Sequence, residues 1–318
     1  MKLPELEEIE DAQRLIYRYM APTPQYAWPL LNERLGAEAW IKHENHSPVG
    51  AFKLRGALVS MEWLKRTQPG LKGVVAATRG NHGQGVAMAA RLMGVRAVIV
   101  VPHGNSVEKN RAMRAQGAEL VEHGGDFQES LEHAQKLAEE RGLNMMESFG
   151  ERLVMGTAAY ALELFRGAPE LERVYAPIGL GSSICGVAAA RNALGLKTEI
   201  VGVVSAASPS YALSFAEGRV VEAPSQTRIA DGLACRKPNA QGMEAIRENV
   251  ARIVQVTDDQ VEEAMRAYFE DTHNVAEGAG AAALAGAVAE ENRGRRIGIV
   301  LTGGNVDRAV FARVLAGR

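Results

Sequence analysis

Short runs of apolar residues alternate with longer segments of helical periodicity along most of this chain. Runs such as 98–101 (Val-Ile-Val-Val) and 299–301 (Ile-Val-Leu) are continuous, which is typical of strands that are covered on both faces. The pattern predicts strands at 73–78, 96–101, 119–122, 145–149, 174–178, 199–205, 253–256 and 297–301. It predicts helices near 54–66, 82–93, 106–116, 127–141, 153–166, 183–194, 240–249, 258–272, 278–290 and 306–315.

The alternation of strand and helix predicts an α/β protein whose parallel strands are joined by right-handed crossovers. The strands fall into two groups, so we expect two domains, each an open, mostly parallel, twisted sheet flanked by helices. Pro48, Gly50 and Gly150 punctuate the chain near residues 53 and 150, where we place the domain crossings. Residues 1–52 and 152–318 then form a large domain, and residues 53–151 form a small one.

Composition narrows the class of protein further. Of 318 residues, 47% are hydrophobic and 23% charged, as expected for a globular protein with a real core, and the formal net charge is only −2. The charges are scattered, which argues against nucleic-acid or membrane partners. The cysteines Cys185 and Cys235 suit a reducing compartment and lack metal-ligand spacing. The acidic N-terminus has no signal-peptide pattern, so we expect a cytoplasmic protein.

Three glycine-rich turns directly follow predicted strands, where ligands bind in α/β folds. One of them comprises Gly179, Leu180, Gly181, Ser182 and Ser183. Its successive N–H groups and the following helix N-terminus form an anion cradle, to which the serine hydroxyls add donors. No lysine follows the glycines, which excludes a nucleoside-triphosphate P-loop. The alternative is a tight turn without a ligand.

A second turn comprises Thr78, Arg79, Gly80, Asn81 and His82. Its backbone donors can hold a carboxylate, and the Asn81 amide can bond a ring hydroxyl. Alternatively, Asn81 caps a helix and His82 is an interior histidine with satisfied nitrogens.

Two further residues complete the candidate chemistry. Thr302 ends a buried strand, where it either faces a ligand or merely forms the third turn. Lys53 stands behind the aromatic Phe52 in a turn that leads into a helix. A free lysine has a pKa of about 10.4, so it reacts only if its surroundings neutralise it or it becomes an imine. Otherwise it is a solvated surface charge.

Six motifs occur in order across almost the whole chain. They are Ala-Phe-Lys-Leu-Arg-Gly-Ala (51–57), Gly-Asn-His-Gly-Gln-Gly-Val-Ala (80–87), the turn at 179–186, Ile-Ala-Asp-Gly-Leu-Ala (229–234), Glu-Gly-Ala-Gly-Ala (277–281) and Thr-Gly-Gly-Asn (302–305). With these motifs the sequence resembles the threonine dehydratase and serine racemase group of fold type II pyridoxal-phosphate enzymes. The resemblance implies the tryptophan synthase β-like fold, in which the large domain binds the cofactor and the small domain closes over the substrate.

The resemblance also implies residue roles. Lys53 would bind the cofactor through a Schiff base, Phe52 would wall it and Asn81 would bond its ring hydroxyl. The phosphate would lie on Gly179, Leu180, Gly181, Ser182 and Ser183, and Thr302 would face the pyridine nitrogen. The substrate carboxylate would meet Thr78, Gly80, Asn81 and His82, with Arg79 beside them. Members of this group form homodimers, which we also expect here.

The chemistry expected of such a site is elimination. A neutral Thr302 hydroxyl stabilises a protonated pyridine less than a carboxylate would, which favours rapid loss of a β-hydroxyl over transamination. We therefore expect a dehydratase, or ammonia-lyase, that converts L-threonine or L-serine to a 2-oxo acid and ammonia. A serine racemase would share nearly every motif. An alternative outside enzymes is a cofactor-binding protein without turnover, whose visible absorption band would not respond to any amino acid.

Several positions depart from the group's pattern. Val49 and Ala51 replace polar residues near the lysine, and Leu180 and Ser182 replace glycines. The segment 205–211 (Ser-Ala-Ala-Ser-Pro-Ser-Tyr) lacks the carboxylates of relatives that bind a divalent cation, so we expect no metal site. Arg79 stands where racemases have a serine, and an arginine is a poor proton shuttle. It could instead clamp an anionic substrate such as 3-hydroxyaspartate, or it could point into solvent.

Overall fold

The computed structural model describes residues 1–168 and 170–317. Its strands are β1 (Gln25–Ala27), β2 (Glu38–His43), β3 (Val74–Ala77), β4 (Ala97–Val101), β5 (Glu119–Glu122), β6 (Asn144–Met145), β7 (Arg173–Pro177), β8 (Glu199–Ser205), β9 (Arg252–Val256) and β10 (Arg296–Leu301). Its helices are α1 (Leu6–Ile16), α2 (Pro29–Leu35), α3 (Lys53–Thr67), α4 (Asn81–Met93), α5 (Val107–Ala115), α6 (Phe127–Arg141), α7 (Glu151–Gly167), α8 (Ser182–Ala193), α9 (Ser210–Glu217), α10 (Ala240–Asn249), α11 (Asp258–Thr272), α12 (Gly278–Val288) and α13 (Arg308–Leu315).

The strands form two sheets. A six-stranded sheet has the order β1-β2-β10-β7-β8-β9, and a four-stranded sheet has the order β5-β4-β3-β6. Among the described strands, only β1 pairs antiparallel to its neighbour. The predicted α/β class with two mostly parallel sheets is thus confirmed. We call residues 74–145, which contain the four-stranded sheet, the small unit, and the part built on the six-stranded sheet the large unit. The domain bounds stated above stay a prediction.

Both sheets are covered on both faces, as the continuous apolar runs predicted. Every residue of β3, β4 and β7 is buried. Arg173 and Pro177 lie at the two ends of β7, and the positions between them are apolar. No helix among the described residues combines the length and the apolar character that crossing a bilayer requires.

One predicted strand is shorter than expected, and the pattern missed several elements, namely β1, α2, β2 and α9. The strand expected at 145–149 is only the two residues of β6, because the chain bends at 148–150 before α7 begins. Strands β1 and β2 were not predicted, because Lys42 and His43 interrupt the apolar pattern of β2 although both are fully buried. Helix α9 was missed because its serines, which favour turns, are held by local bonds such as Ser214 Oγ to Ser210 O at 2.6 Å.

Glycines allow the helices near residue 53 to approach one another closely. A Cβ on Gly156 of α7 would lie 2.5 Å from Gly56 Cα of α3, and a Cβ on Gly85 of α4 would lie 2.9 Å from the Lys53 carbonyl carbon. Backbone therefore meets backbone where these helices cross. The crossing fixes the start of α3 against the start of α4 with little room for movement.

A group of buried charges lies beneath the start of α3. We call Lys42, Glu44, Arg55 and Glu163 the Arg55 network. Arg55 donates to both oxygens of Glu44 (2.8 and 3.0 Å) and to both oxygens of Glu163 (2.7 and 3.0 Å). Lys42 Nζ lies 2.6 Å from Glu163 Oε2, and all four side chains are at most 7% exposed. This network ties α3 and α7 to β2.

Candidate active site

Lys53 is the first residue of α3 and follows Phe52, the N-cap residue. Its side chain is partly buried, and Nζ lies 4.7 Å from the centroid of the Phe52 ring. Burial lowers the pKa of Lys53 to about 8, while the Glu277 carboxylate opposes this shift. This amine therefore loses its proton more readily than a solvated surface lysine does.

The end of β10 lies directly against the chain before Lys53. The Phe52 N–H donates to Thr302 O at 3.0 Å, and Ala51 forms an isolated antiparallel bridge with Gly303. The Thr302 hydroxyl is buried, and its bond to Ala279 O is long, at 3.4 Å. A neutral, weakly bonded hydroxyl thus lies at the turn that contacts the lysine segment.

The turn at 78–82 begins α4. The Thr78 hydroxyl accepts hydrogen bonds from the N–H groups of Gly80 (3.0 Å) and Gly83 (3.3 Å), so it builds the turn. The N–H groups of Asn81 and His82, in the first helical turn, have no acceptor among the described residues. These two donors, and the helix N-terminus behind them, are free to hold a carboxylate.

His82 is buried, and neither ring nitrogen has a hydrogen-bond partner among the described residues. Burial, with a smaller contribution from Lys53, lowers its pKa to about 3, although the nearby Met146 backbone weakly opposes the shift. His82 is thus an interior histidine, and its two ring nitrogens lack a close hydrogen-bond partner among the described residues. An orphaned imidazole in a protein interior indicates that a ligand or water completes its environment.

Asn81 bridges the two units. Its Nδ2 donates to Glu277 Oε1 through a short hydrogen bond, and its Oδ1 accepts from Asn305 Nδ2 at 2.9 Å. Gly80, not Asn81, is the N-cap residue, and the cap makes no side-chain bond. The helix-cap alternative for Asn81 is therefore wrong, because its side chain instead bonds to Glu277 and Asn305.

The turn at 179–183 has the features of an anion cradle. A Cβ on Gly179 would lie 2.3 Å from Gly232 O, and Gly181 has a φ of 102°, so only glycine suits both positions. Ser182 and Ser183, the first residues of α8, are buried. The Leu180 carbonyl accepts a hydrogen bond from Tyr211 Oη at 2.8 Å, which holds the backbone of the turn in place.

A chain of contacts connects this cradle to the lysine. Ser183 Oγ and Tyr160 Oη are 2.7 Å apart, and the ring of Tyr160 lies edge-on to that of Phe52 at a centroid distance of 6.2 Å. The structure thus brings the predicted cradle, Phe52 and Lys53 into one region, next to Thr302 and the turn at 78–82. Arg79 differs from these residues, because its side chain is exposed and makes no ion pair or hydrogen bond among the described residues.

Sequence reasoning missed three charged residues here, which we call the Lys109 cluster: Lys109, Asp231 and Glu277. Lys109 Nζ lies 3.0 Å from Asp231 Oδ2 and 3.4 Å from Glu277 Oε2. Burial raises the pKa of Glu277, with Lys109 opposing, whereas the two carboxylates raise the pKa of Lys109 despite its burial. Asp231 and Glu277 belong to recognised motifs without an assigned role, and Lys109 belongs to none.

Residues 16–303 match the family described as "Pyridoxal-phosphate dependent enzyme". This chain belongs to that family. The predicted resemblance, fold type and pyridoxal-phosphate cofactor are thereby confirmed.

Relatives agree in sequence and in fold. The chain is 32% identical to an L-threonine ammonia-lyase of Thermotoga maritima over 98% of its own length and 78% of the relative. It is 32% identical to an L-threo-3-hydroxyaspartate ammonia-lyase of Saccharomyces cerevisiae over 100% of its own length and 98% of the relative. A structure of maize serine racemase superimposes with a TM-score of 0.92 at 28% identity, covering 99% of this chain and 98% of that one.

The residues present fit pyridoxal phosphate. Lys53 offers an amine with a lowered pKa, which suits covalent attachment to an aldehyde. The Gly179 turn offers backbone donors at a helix N-terminus, which suits a phosphate group. The buried Thr302 hydroxyl offers a neutral partner for a ring nitrogen.

The segment expected to lack a metal site is held by local bonds. Ser210 Oγ donates to Cys235 O at 2.7 Å, and Ser205 Oγ accepts from Ala207 N at 3.2 Å. Among the described residues, no three His, Cys, Asp or Glu side chains cluster closely enough to hold a metal ion. The absence of a cation stays a prediction.

Proposed function

We propose that this protein is a pyridoxal-phosphate-dependent dehydratase, or ammonia-lyase, that removes water from a β-hydroxy amino acid such as L-threonine or L-serine. The products are a 2-oxo acid and ammonia. The observation that carries the proposal is the Lys53 amine, whose pKa is lowered to about 8 beside free backbone donors and a neutral Thr302 hydroxyl. Two relatives that match nearly the whole chain are ammonia-lyases, which supports the same reaction class.

When bound, pyridoxal phosphate provides an electron-accepting ring that makes removal of the substrate Cα proton feasible. Lys53 Nζ, whose pKa burial lowers to about 8, can take that proton and return it. Phe52 limits the space around Nζ and keeps water from one side of the amine. The Glu277 carboxylate opposes further lowering of the pKa of Lys53.

Substrate binding falls to the start of α4. The free N–H groups of Asn81 and His82 would hold the α-carboxylate, as a helix N-terminus does. His82, with a pKa of about 3, stays neutral and can accept or donate one hydrogen bond without competing for the Cα proton. Thr78 keeps this turn in shape, because its hydroxyl accepts from two backbone N–H groups.

Elimination fits this site better than racemisation. Racemisation needs a second proton donor and acceptor on the face opposite Lys53, and the racemases of this group place a serine at the position of Arg79. A guanidinium cannot give up its proton in proteins, so Arg79 does not replace that serine. A neutral Thr302 further favours prompt loss of the β-hydroxyl over transamination.

A second candidate substrate is 3-hydroxyaspartate. The relative from Saccharomyces cerevisiae that matches along its whole length is an ammonia-lyase for L-threo-3-hydroxyaspartate, and another from Pseudomonas matches equally fully. Arg79 directly precedes Gly80, is exposed, and has no carboxylate partner among the described residues. It is therefore available to pair with a second carboxylate on the substrate.

The first experiment tests the reaction and the lysine. Purified holoenzyme is given a panel of β-hydroxy amino acids and scored for ammonia and keto acid, and the remaining substrate undergoes chiral analysis. Borohydride reduction then fixes the cofactor for peptide mapping. We expect the label on Lys53, loss of turnover in Lys53→Ala, and retained turnover in Lys65→Ala, which removes another lysine of α3. A label elsewhere, or racemisation faster than keto-acid release, contradicts the proposal.

The second experiment tests Arg79. Arg79→Ala should lower kcat/KM for 3-hydroxyaspartate relative to serine and threonine by about tenfold or more, the effect of one lost charge-assisted contact of about 1.5 kcal/mol. Arg91→Ala, at the exposed far end of α4, is the matched control. Unchanged relative efficiencies in Arg79→Ala would exclude the acidic substrate preference.

We also infer a cytoplasmic homodimer. Tyr26 and Leu30, on β1 and α2, are 50% and 56% exposed, which supports an interface on that side of the large unit. Light scattering after gel filtration should give twice the chain mass. A monomer mass at micromolar concentration, or recovery of the protein with membranes on fractionation, would contradict this inference.

A further inference from the structure

The N-terminal turn of α5 faces the large unit although α5 belongs to the small one. Lys109, in this turn, has a side chain that is only 9% exposed, and its ammonium lies between Asp231 and Glu277 of the large unit. Burial acts against the charge of Lys109, but the two carboxylates outweigh it and keep the ammonium protonated. A cation of the small unit is thus buried against anions of the large one.

Two further polar contacts come from the same turn. Ser106 Oγ and Asp307 Oδ1 form a hydrogen bond of 2.5 Å, and the Arg308 N–H donates to Glu108 Oε1 at 3.1 Å. Three side chains of residues 106–109 therefore contact the large unit. Another cation of α5 behaves differently, because Arg114 pairs with Glu122 within the small unit at 3.0 Å.

The Lys109 side chain also covers the candidate carboxylate site. A Cβ on Gly80 would lie 2.6 Å from Lys109 Cδ and 3.4 Å from its Nζ. On the other side, Glu277 accepts a hydrogen bond from Asn81, the first residue of the same turn. One ammonium therefore connects the outer face of the substrate turn with the carboxylate that influences Lys53.

We propose that Lys109 is a positioning residue that latches the small unit over the active site through Asp231 and Glu277. The inference rests on the proposed function for the location of that site. Three features make the contact reversible. The cluster has one cation for two carboxylates, Glu277 Oε2 has no hydrogen bond of good geometry, and the Asp231 side chain is 40% exposed at the rim. An ion pair with such partial compensation opens more readily than a fully bonded one.

The experiment uses holoenzyme of the parent chain and of Lys109→Met. The first readout is quenching of cofactor fluorescence by acrylamide without substrate, a neutral probe that the lost charge does not attract. The second is hydrogen exchange of the α5 amides. We expect quenching to rise about threefold and exchange at the start of α5 to quicken about tenfold, because the closed state is less populated. KM should rise about tenfold while kcat changes less, and Lys109→Arg should restore most of each effect.

Arg114→Met is the matched control, because it removes a cation of the same helix whose partner lies within the small unit. If acrylamide quenching and hydrogen exchange at the start of α5 are the same in Lys109→Met as in Arg114→Met, the latch is refuted. Should Lys109→Met not fold, Asp231→Asn replaces it, with the same direction of change expected and the same refutation if it matches the control. Because the first two readouts need no turnover, a protein that eliminates water from no amino acid could still possess the latch, and the two proposals fail separately.

Discussion

Two groups of charged residues near the candidate active site, the Arg55 network and the Lys109 cluster, are built differently. The Arg55 network has two cations and two carboxylates, and each carboxylate oxygen accepts at least one hydrogen bond or ion pair. The Lys109 cluster has one cation and two carboxylates, and Glu277 Oε2 accepts no hydrogen bond. The first group lies under the helix that carries Lys53, and the second lies across the two units.

The pKa values report the same difference. Burial pushes the pKa of Glu163 upward, but Arg55 and Lys42 outweigh it, so the net shift is downward. Burial also pushes the pKa of Glu277 upward, and there Lys109 does not compensate. A fully compensated buried group is costly to break, whereas incomplete compensation leaves groups available for ligands or movement. We infer that the Arg55 network maintains the scaffold and that the Lys109 cluster serves function.

The largest expected effect is the loss of Arg55. Arg55→Met leaves Glu44 and Glu163 buried with Lys42 as their remaining cation, so the free energy of unfolding should fall by about 3 to 5 kcal/mol. Urea unfolding measures it. Arg96→Met is the control, because Arg96 pairs with Glu119 at 2.7 Å on the surface and should change stability by less than about 1 kcal/mol. If both variants lowered the free energy of unfolding by similar amounts, the Arg55 network would stabilise the fold no more than a surface ion pair does.

The same substitution at the two buried glutamates should give different results. Glu163→Gln removes a carboxylate whose lowered pKa shows net stabilisation of the charge, and it should destabilise the fold by about 3 kcal/mol at pH 7. That loss should shrink as the pH falls through the folded-state pKa of Glu163, since the parent then loses the same charge.

Glu277→Gln should change stability by less than about 1 kcal/mol, because it relieves a burial cost and keeps an acceptor for Asn81. Equal destabilisation by Glu163→Gln and Glu277→Gln would remove the distinction between the two groups.

The sequence could predict those features whose residues are neighbours along the chain. Lys53 and the three turns were found because a turn next to a strand is written in consecutive residues, and the order of strands and helices is written in the apolar pattern. The Lys109 cluster was not found, because Lys109 and Asp231 are 122 positions apart and no local pattern links them. The Arg55 network likewise joins residues 108 positions apart.

Strand β2 shows the same limit in secondary structure. Lys42 is buried in β2 because Thr23 O accepts from its Nζ at 2.7 Å and Glu163 supplies a counter-charge. His43 is buried because Trp28 Nε1 donates to its Nε2 at 2.9 Å. Burial of a polar residue depends on partners that only the fold brings near, and the apolar pattern alone therefore misses such a strand.

The next prediction concerns Lys53 in the apoprotein. Its pKa is about 8 in the fold and about 10.4 in an unfolded chain, so between these values the unfolded state binds more protons and stability rises with pH. From pH 7.5 to 9.5, the unfolding free energy of the parent should rise by about 2 kcal/mol relative to Lys53→Met. Lys65→Met, which removes another lysine of the same helix, is the control. Relative to this variant, the unfolding free energy of the parent should not rise in the same way. A flat difference would mean that the Lys53 amine is not held in a low-polarity setting.

The smallest expected effect tests the edge of the Arg55 network. Tyr17 Oη donates to Glu163 Oε1 at 2.9 Å, but Tyr17 is 39% exposed and Glu163 keeps Arg55 and Lys42 as partners. Tyr17→Phe should therefore lower the free energy of unfolding by only about 1 kcal/mol, the usual value of one hydrogen bond. Turnover should not change, because a fully compensated network transmits little when one outer bond is lost. If Tyr17→Phe altered KM or acrylamide quenching while stability stayed constant, the scaffold would share the role that we assign to the Lys109 cluster.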